Sequence, residues 1–202
     1  MEPLTDHQQQ VVAATNNQHK LSEIRQLIEP DFRILSLDDI GCREELPETK
    51  DTLEGNSLQK ATYVFDRYHL TCFADDTGLE VEALNGAPGV YSARYAGSRR
   101  SSEDNINLLL EQLYGIENRK ARFRTVVTLI GPDMMETFEG IISGTISEMR
   151  RGAVGFGYDP VFQPNGSHKT LAEMSMDEKN RISHRGQAVR KLVQYLKQNR
   201  YK

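Results

Sequence analysis

The sequence predicts an α/β fold built around a mixed β-sheet, and three features of its 202 residues predict it. Short apolar runs of strand character alternate with segments whose apolar residues recur at helical spacing, an order that calls for strands and helices packed in layers. Two long β-type segments, 121–130 and 135–146, flank the turn signal Gly131-Pro132-Asp133 and read as a hairpin, which adds antiparallel pairing. No repeat, low-complexity stretch or long linker interrupts the pattern, so one domain over residues 1–202 is expected.

The elements follow in order. Val11-Val12-Ala13-Ala14 reads as a short buried strand, and Thr15-Asn16-Asn17 as a turn, because Asn tolerates left-handed backbone. A helix carries Leu21, Ile24, Leu27 and Ile28 on one face, and Pro30 closes it. Residues 32–35 form the expected second strand. A polar loop through Glu44, Glu45 and Glu48 leads to a helix over 53–68. Residues 71–74 read as a strand that stops at Asp75-Asp76-Thr77-Gly78, and Leu79, Val81 and Ala83 as a separate half-exposed one. Residues 85–97 read as loop. Ser101 caps a helix bearing Ile106, Leu109, Leu110 and Leu113. After the hairpin, 152–164 reads as a Gly-rich loop with aromatics, followed by two helices, the last striped by Ala188, Val189, Leu192, Val193 and Leu196.

Composition narrows the function. The net charge of −4 argues against a protein that lives on long nucleic acids, so a polyanionic ligand would be small and held by a local basic cluster. Cys42 and Cys72 sit in no metal or redox spacing, which favours a reducing compartment. The polar, acid-bearing N-terminus is unlike a signal peptide, and no apolar run approaches the ~20 residues of a membrane span. A cytoplasmic protein with no membrane or nucleic-acid partner is expected.

Several segments offer chemistry, each with a plainer alternative. Lys20 in the first turn of a helix that follows a strand suits phosphate, though an ordinary turn with a surface lysine looks the same. Asp75-Asp76 after apolar Cys72-Phe73-Ala74 is an expensive place for two carboxylates. With Glu48 the pair could hold magnesium beside a triphosphate, or it could simply cap local N–H groups. Gly155-Phe156-Gly157-Tyr158-Asp159-Pro160 combines flexible backbone with aromatic faces that could stack on a base or pack on the core. Lys179 and Arg185 suit phosphate, and His184 and Arg185 suit a base carbonyl, unless the run is a solvated face. Lys60 alone reads as a surface lysine.

Taken in order, these segments resemble the inosine triphosphate pyrophosphatase family, the dITP/XTP pyrophosphatases. The resemblance rests on Ala14-Thr15-Asn16-Asn17 with Lys20, Glu48-Thr49, Asn56 with Lys60-Ala61, and Ala74-Asp75-Asp76-Thr77-Gly78-Leu79. It continues through residues 86–95, 155–160 and 182–188 and spans about residues 10–197. The resemblance implies a strongly twisted mixed sheet flanked by helices, with two lobes and the active-site cleft between them. It implies hydrolysis of ITP, dITP and XTP to monophosphate and pyrophosphate with Mg2+, by a homodimer. Rival readings are a same-fold pyrophosphatase for pyrimidine or modified nucleotides, and a non-catalytic nucleotide sensor.

The family pattern implies that Asp76 accepts the proton of the attacking water and, with Glu48, holds magnesium, Asp75 supporting. It assigns Lys20, Lys60 and Lys179 to the phosphates, with Thr15, Asn16, Asn17, Gln18 and His19 wrapping the chain end beside Lys20. Thr77 contacts substrate, Phe156 stacks on the base, and Gly157, Tyr158, Asp159, His184 and Arg185 surround it. Asn16 stands where the family usually has Gly, Thr77 where it has Ser, and Gly55 and Ser57 where it often has Glu and Ala.

Overall fold

The computed structural model describes residues 9–29 and 31–199, so residues 1–8, Pro30 and residues 200–202 lie outside the described part. Strands β1 (Gln10–Ala13), β2 (Arg33–Leu35), β3 (Cys72–Val81), β4 (Pro88–Gly89), β5 (Lys120–Gly131), β6 (Met134–Ile146) and β7 (Phe162–Pro164) form one mixed sheet. Its order is β2-β1-β3-β5-β6-β7, with β4 paired to β3 off that path. Both neighbours of β1 run parallel to it, and the other pairings are antiparallel. Helices α1 (Gln18–Ile28), α2 (Leu53–Tyr68), α3 (Ser102–Gln112), α4 (Met176–Ile182) and α5 (His184–Gln198) flank the sheet.

Three apolar clusters hold these layers. On one face of the sheet, Leu21, Ile24 and Ile28 of α1 and Val189, Leu192 and Leu196 of α5 pack on Val11, Phe73, Val127 and Leu129. On the other, Ala61 and Val64 of α2 cover Val12, Cys72 and Ala74. A separate cluster gathers Leu79, Val81, Phe123, Ile142, Phe162 and Leu171 around Ile106 and Leu109 of α3. Strands β3 and β5 serve both regions, apolar at each end, so the molecule has two lobes joined by continuous strands.

One segment departs from expectation in a way that matters. Residues 71–74 and 79–83 were expected as two strands separated by the Asp pair. Instead β3 runs unbroken through Asp75 and Asp76, each paired with β5, and Ala83 falls in a 3₁₀ turn, Glu82–Leu84. Carboxylates are poor strand formers, but here each finds cationic partners, and tertiary context overrides the propensity. The expected loops also contain short strands: β4 lies within 85–97 and β7 closes 152–164. Asn16 and Asn17 do not use left-handed backbone. Asn16 instead grips the loop opposite, donating to the Glu44 carbonyl at 3.3 Å and accepting from Leu46 N–H at 3.3 Å. Asn17 caps α1, its side chain accepting from Lys20 N–H at 3.1 Å. At the remaining departures, the Gly55 N–H donates to the Thr52 cap and Ser57 Oγ meets Thr128 Oγ1.

Candidate active site

The waist between the lobes is where β3 carries its acids. Alternation along the strand turns Asp75 and Asp76 to opposite faces. Asp76 faces α2, where Asn56 Nδ2 donates to its Oδ2 at 3.1 Å and the Lys60 ammonium lies 3.7 Å from Oδ1. Lys60 Nζ also donates to Glu48 Oε1 and to the Asp75 carbonyl, each at 2.7 Å. Glu48 and Asp76 therefore converge on one cation. Burial raises the Asp76 carboxyl above its ordinary range, and Lys60 only partly offsets it. For Lys60, burial pulls downward, yet Asp76, Glu48 and Asp75 together hold the ammonium charged. Two hard carboxylates leave room for water and phosphate oxygens, which is how magnesium is commonly held. Among the described residues no cluster of three or more His, Cys, Asp or Glu forms a closed metal cage.

Asp75 faces the other way. Its Oδ2 takes Lys20 at 3.0 Å and Arg185 Nε at 3.3 Å, and these cations, against the cost of burial, hold the carboxyl well below the carboxylate range. Its support is thus exerted through Lys20 and Arg185 rather than beside Glu48. Lys20, pulled down by its own burial, stands at the cleft floor on the first turn of α1.

The far end of the cleft is aromatic and basic. Ser183 both ends α4 and caps α5, so one break in the helix sets Lys179 on one side and His184 and Arg185 on the other. Lys179 Nζ lies 2.6 Å from both Glu23 Oε1 and Asp159 Oδ2, and 5.0 Å from the centre of the Phe156 ring. Arg185 reaches Glu23 Oε2 at 2.5 Å and sits 5.4 Å from the same ring. Asp159 also closes its own turn by accepting Phe156 N–H at 2.9 Å. That turn needs left-handed backbone at residue 155 (φ 88°), and a Cβ there would strike the Asp159 carboxylate, so glycine is required. His184 is 3% exposed and stacks 4.6 Å from Phe123. Burial, with Arg185 adding to it, keeps the imidazole neutral, and its Nδ1 finds no partner among the described residues.

One cleft of about 270 Å³ gathers Thr15, Asn16, Asn17, Lys20, Glu48, Lys60, Asp76, Thr77, Phe156, Gly157, Tyr158, Asp159, Lys179, His184 and Arg185. Two expectations shift. Lys179, grouped with the phosphate lysines, stands at the Phe156 end instead. Gln18 and His19 do not line the cleft; the His19 ring stacks on Phe156 at 5.5 Å. Sequence reasoning missed Glu23, the buried acid that ties Lys179 to Arg185. Its signal was an acid three residues after Lys20, beside the apolar stripe of α1. It also passed over Arg94, Arg100, Asn105 and Phe123 in the cleft wall.

With this geometry in hand, the relatives are informative. The model of the Ham1 family matches residues 11–195. A dITP/XTP pyrophosphatase of Porphyromonas gingivalis is 54% identical over 189 residues, covering 93% of this chain and 97% of that one. Its counterpart in Flavobacterium johnsoniae is 50% identical over 186 residues, 92% and 97% of the two chains. The solved Ham1 protein of Staphylococcus aureus superimposes with a TM-score of 0.86 at 39% identity, covering 95% of this chain and all of that one. In sequence, in fold and along nearly its whole length, the chain belongs to the Ham1 family.

Proposed function

We propose that the chain hydrolyses deaminated purine nucleoside triphosphates (dITP, ITP and XTP) to the monophosphate and pyrophosphate. The observation that carries this reading is the division of one cleft. Glu48, Asp76, Lys60 and Lys20 stand at one end and Phe156, Lys179 and His184 at the other, with Arg185 joining them between Asp75 and the Phe156 ring. Such a cleft fits a polyanion joined to a planar base. The names of the relatives, dITP/XTP pyrophosphatases, agree with it.

In this mechanism the base packs by Phe156 and the triphosphate runs over Lys20 and Lys60. Asp76, with its raised proton affinity, takes a proton from a water whose oxygen attacks the α-phosphorus. The bond from that phosphorus to the α–β bridging oxygen breaks, and the bridging oxygen departs with pyrophosphate. Lys60 offsets charge on the reacting phosphates from a preset position. Glu48 and Asp76 would hold a magnesium ion, which would supply further positive charge to the phosphate oxygens. Selectivity follows from donor placement. In its Nδ1–H tautomer His184 has a free donor for a 6-oxo group, which the 6-amino group of ATP cannot accept. Buried mismatches of this kind reach about 10⁴–10⁵ in discrimination.

The same reading carries a cytoplasmic homodimer. No described helix is long and apolar enough to cross a membrane. Light scattering tests the dimer. Magnesium-dependent release of pyrophosphate, rather than phosphate, from dITP tests the reaction, and binding without release would leave a sensor.

A further inference from the structure

Two cations in the cleft wall, Arg94 and Arg100, have no part yet in the reaction, and Arg94 is engaged over the Tyr91 ring at 5.2 Å. Three non-glycine described residues have left-handed backbone: His69, Asn85 and Arg100. The first two end helical turns, where that conformation satisfies the last carbonyls. Arg100 (φ 51°) ends no helix but closes a turn, its N–H donating to the Gly97 carbonyl at 3.3 Å. It stands in a four-residue loop held at both sides, by Ala96 N–H donating to buried Asn105 at 2.7 Å and by Ser101 capping α3. The conformation sends the guanidinium to Glu48, 3.6 Å from Oε2, while Lys60 holds Oε1.

The two grips on Glu48 are unequal. Lys60 is buried and hydrogen-bonded; Arg100 is 53% exposed and beyond hydrogen-bond reach. An exposed ion pair of this kind contributes only about 0–1 kcal/mol, so Arg100 leaves easily. Charge balance gives it somewhere to go. The cleft's inner cations Lys20, Lys60, Lys179 and Arg185 already face Glu23, Glu48, Asp75, Asp76 and Asp159, four against five. A triphosphate therefore enters a site whose own lysines are committed. Contacts also link Asp76 through Lys60 and Glu48 to Arg100, which puts Arg100 in the same carboxylate and cation chain as the proposed base.

Resting on the hydrolysis proposed above, we infer that Arg100 binds the β- and γ-phosphates, releasing Glu48 for the metal and neutralising the departing pyrophosphate. Its planar fork suits two phosphate oxygens at once. Arg100→Asn removes the charge with a residue that accepts the same backbone, and Arg100→Lys keeps the charge without the fork. Arg99→Asn, at the outward-facing neighbour that is 89% exposed, is the control.

Calorimetric titration with pyrophosphate and with inosine monophosphate, each with and without magnesium, reads the inference without turnover. Arg100→Asn is expected to weaken magnesium pyrophosphate about tenfold, a loss of about 1.4 kcal/mol, and to raise KM for dITP while leaving inosine monophosphate unchanged. Arg100→Lys should recover part of the loss, and Arg99→Asn should match wild type. Wild-type pyrophosphate affinity in Arg100→Asn, or equal weakening of both ligands, would overturn the inference while leaving the hydrolase reading intact. If the wild-type protein releases no pyrophosphate from dITP, the hydrolase reading fails, and this inference falls with it.

Discussion

Replacing Glu23 with Gln removes one negative charge from the most enclosed part of the site. Glu23 is 2% exposed and binds Lys179 at 2.6 Å and Arg185 at 2.5 Å. Breaking one side of a buried ion pair costs about 3–5 kcal/mol, because the partner charge is left uncompensated. Here Lys179 keeps Asp159 and Arg185 keeps Asp75, so we place the cost at the lower end, about 3 kcal/mol. For a chain of this length that is roughly 6–12 °C in Tm. The pH dependence gives a second reading. Burial raises the Glu23 carboxyl, but Arg185 and Lys179 outweigh it and hold the group below its ordinary 4.5. A depressed carboxylate stabilises the fold above its unfolded value and loses that contribution as pH falls through its folded value. The gap between wild type and Glu23→Gln should therefore be full at pH 7 and narrow below about 4.5. Thermal melts across that range are the assay. Equal Tm values at neutral pH, or a gap that ignores acid, would refute the assigned role of the ion-pair network.

Further outcomes follow from the same geometry. Asp76→Asn should abolish pyrophosphate release while the protein still folds, because buried Lys60 keeps Glu48 and the Asp75 carbonyl as partners; paired kinetics and melts check both halves. kcat/KM should fall on the acid side as Asp76 takes up a proton and the base is lost, a limb that Asp76→Asn removes. Phe156→Ala should raise KM for dITP by about 10-fold, within the ~1–3 kcal/mol of one base stack, with little change in Tm. Gly140→Ala should unfold the protein or strip its activity. A Cβ there would collide with the His184 carbonyl and come within 2.8 Å of Ala188 N, pushing α5 off the sheet with Arg185 on it. Circular dichroism distinguishes the two results.

Much of this was legible in the sequence for identifiable reasons. Helix α2 has the expected bounds because its apolar positions, its Thr52 cap and its His69 terminus all agree. The β5–β6 hairpin was read from long β-rich runs around one strong turn signal. What escaped was set by distant partners. Strand β3 hid behind two acids whose compensating cations come from α1, α2 and α5, and no local pattern reports them. Strands β4 and β7 are two and three residues long, too short for any periodicity. The type of residue at each end of the cleft was visible, but not which lysine served which end. That follows from the helix break at Ser183 and from Glu23, 156 residues before its partner Lys179.

The ten-rung ladder between β3 and β5 crosses the waist without a gap, and each strand roots its side chains on both sides of it. Such a molecule has no joint to swing on. To admit or release a nucleotide, it must either flex a continuous lattice of backbone bonds or move the thin segments draped over its mouth. We expect amides along this ladder to be among the slowest to exchange with heavy water, and those of residues 97–100 among the fastest, so that traffic through the enzyme is set by its edges and accuracy by its spine.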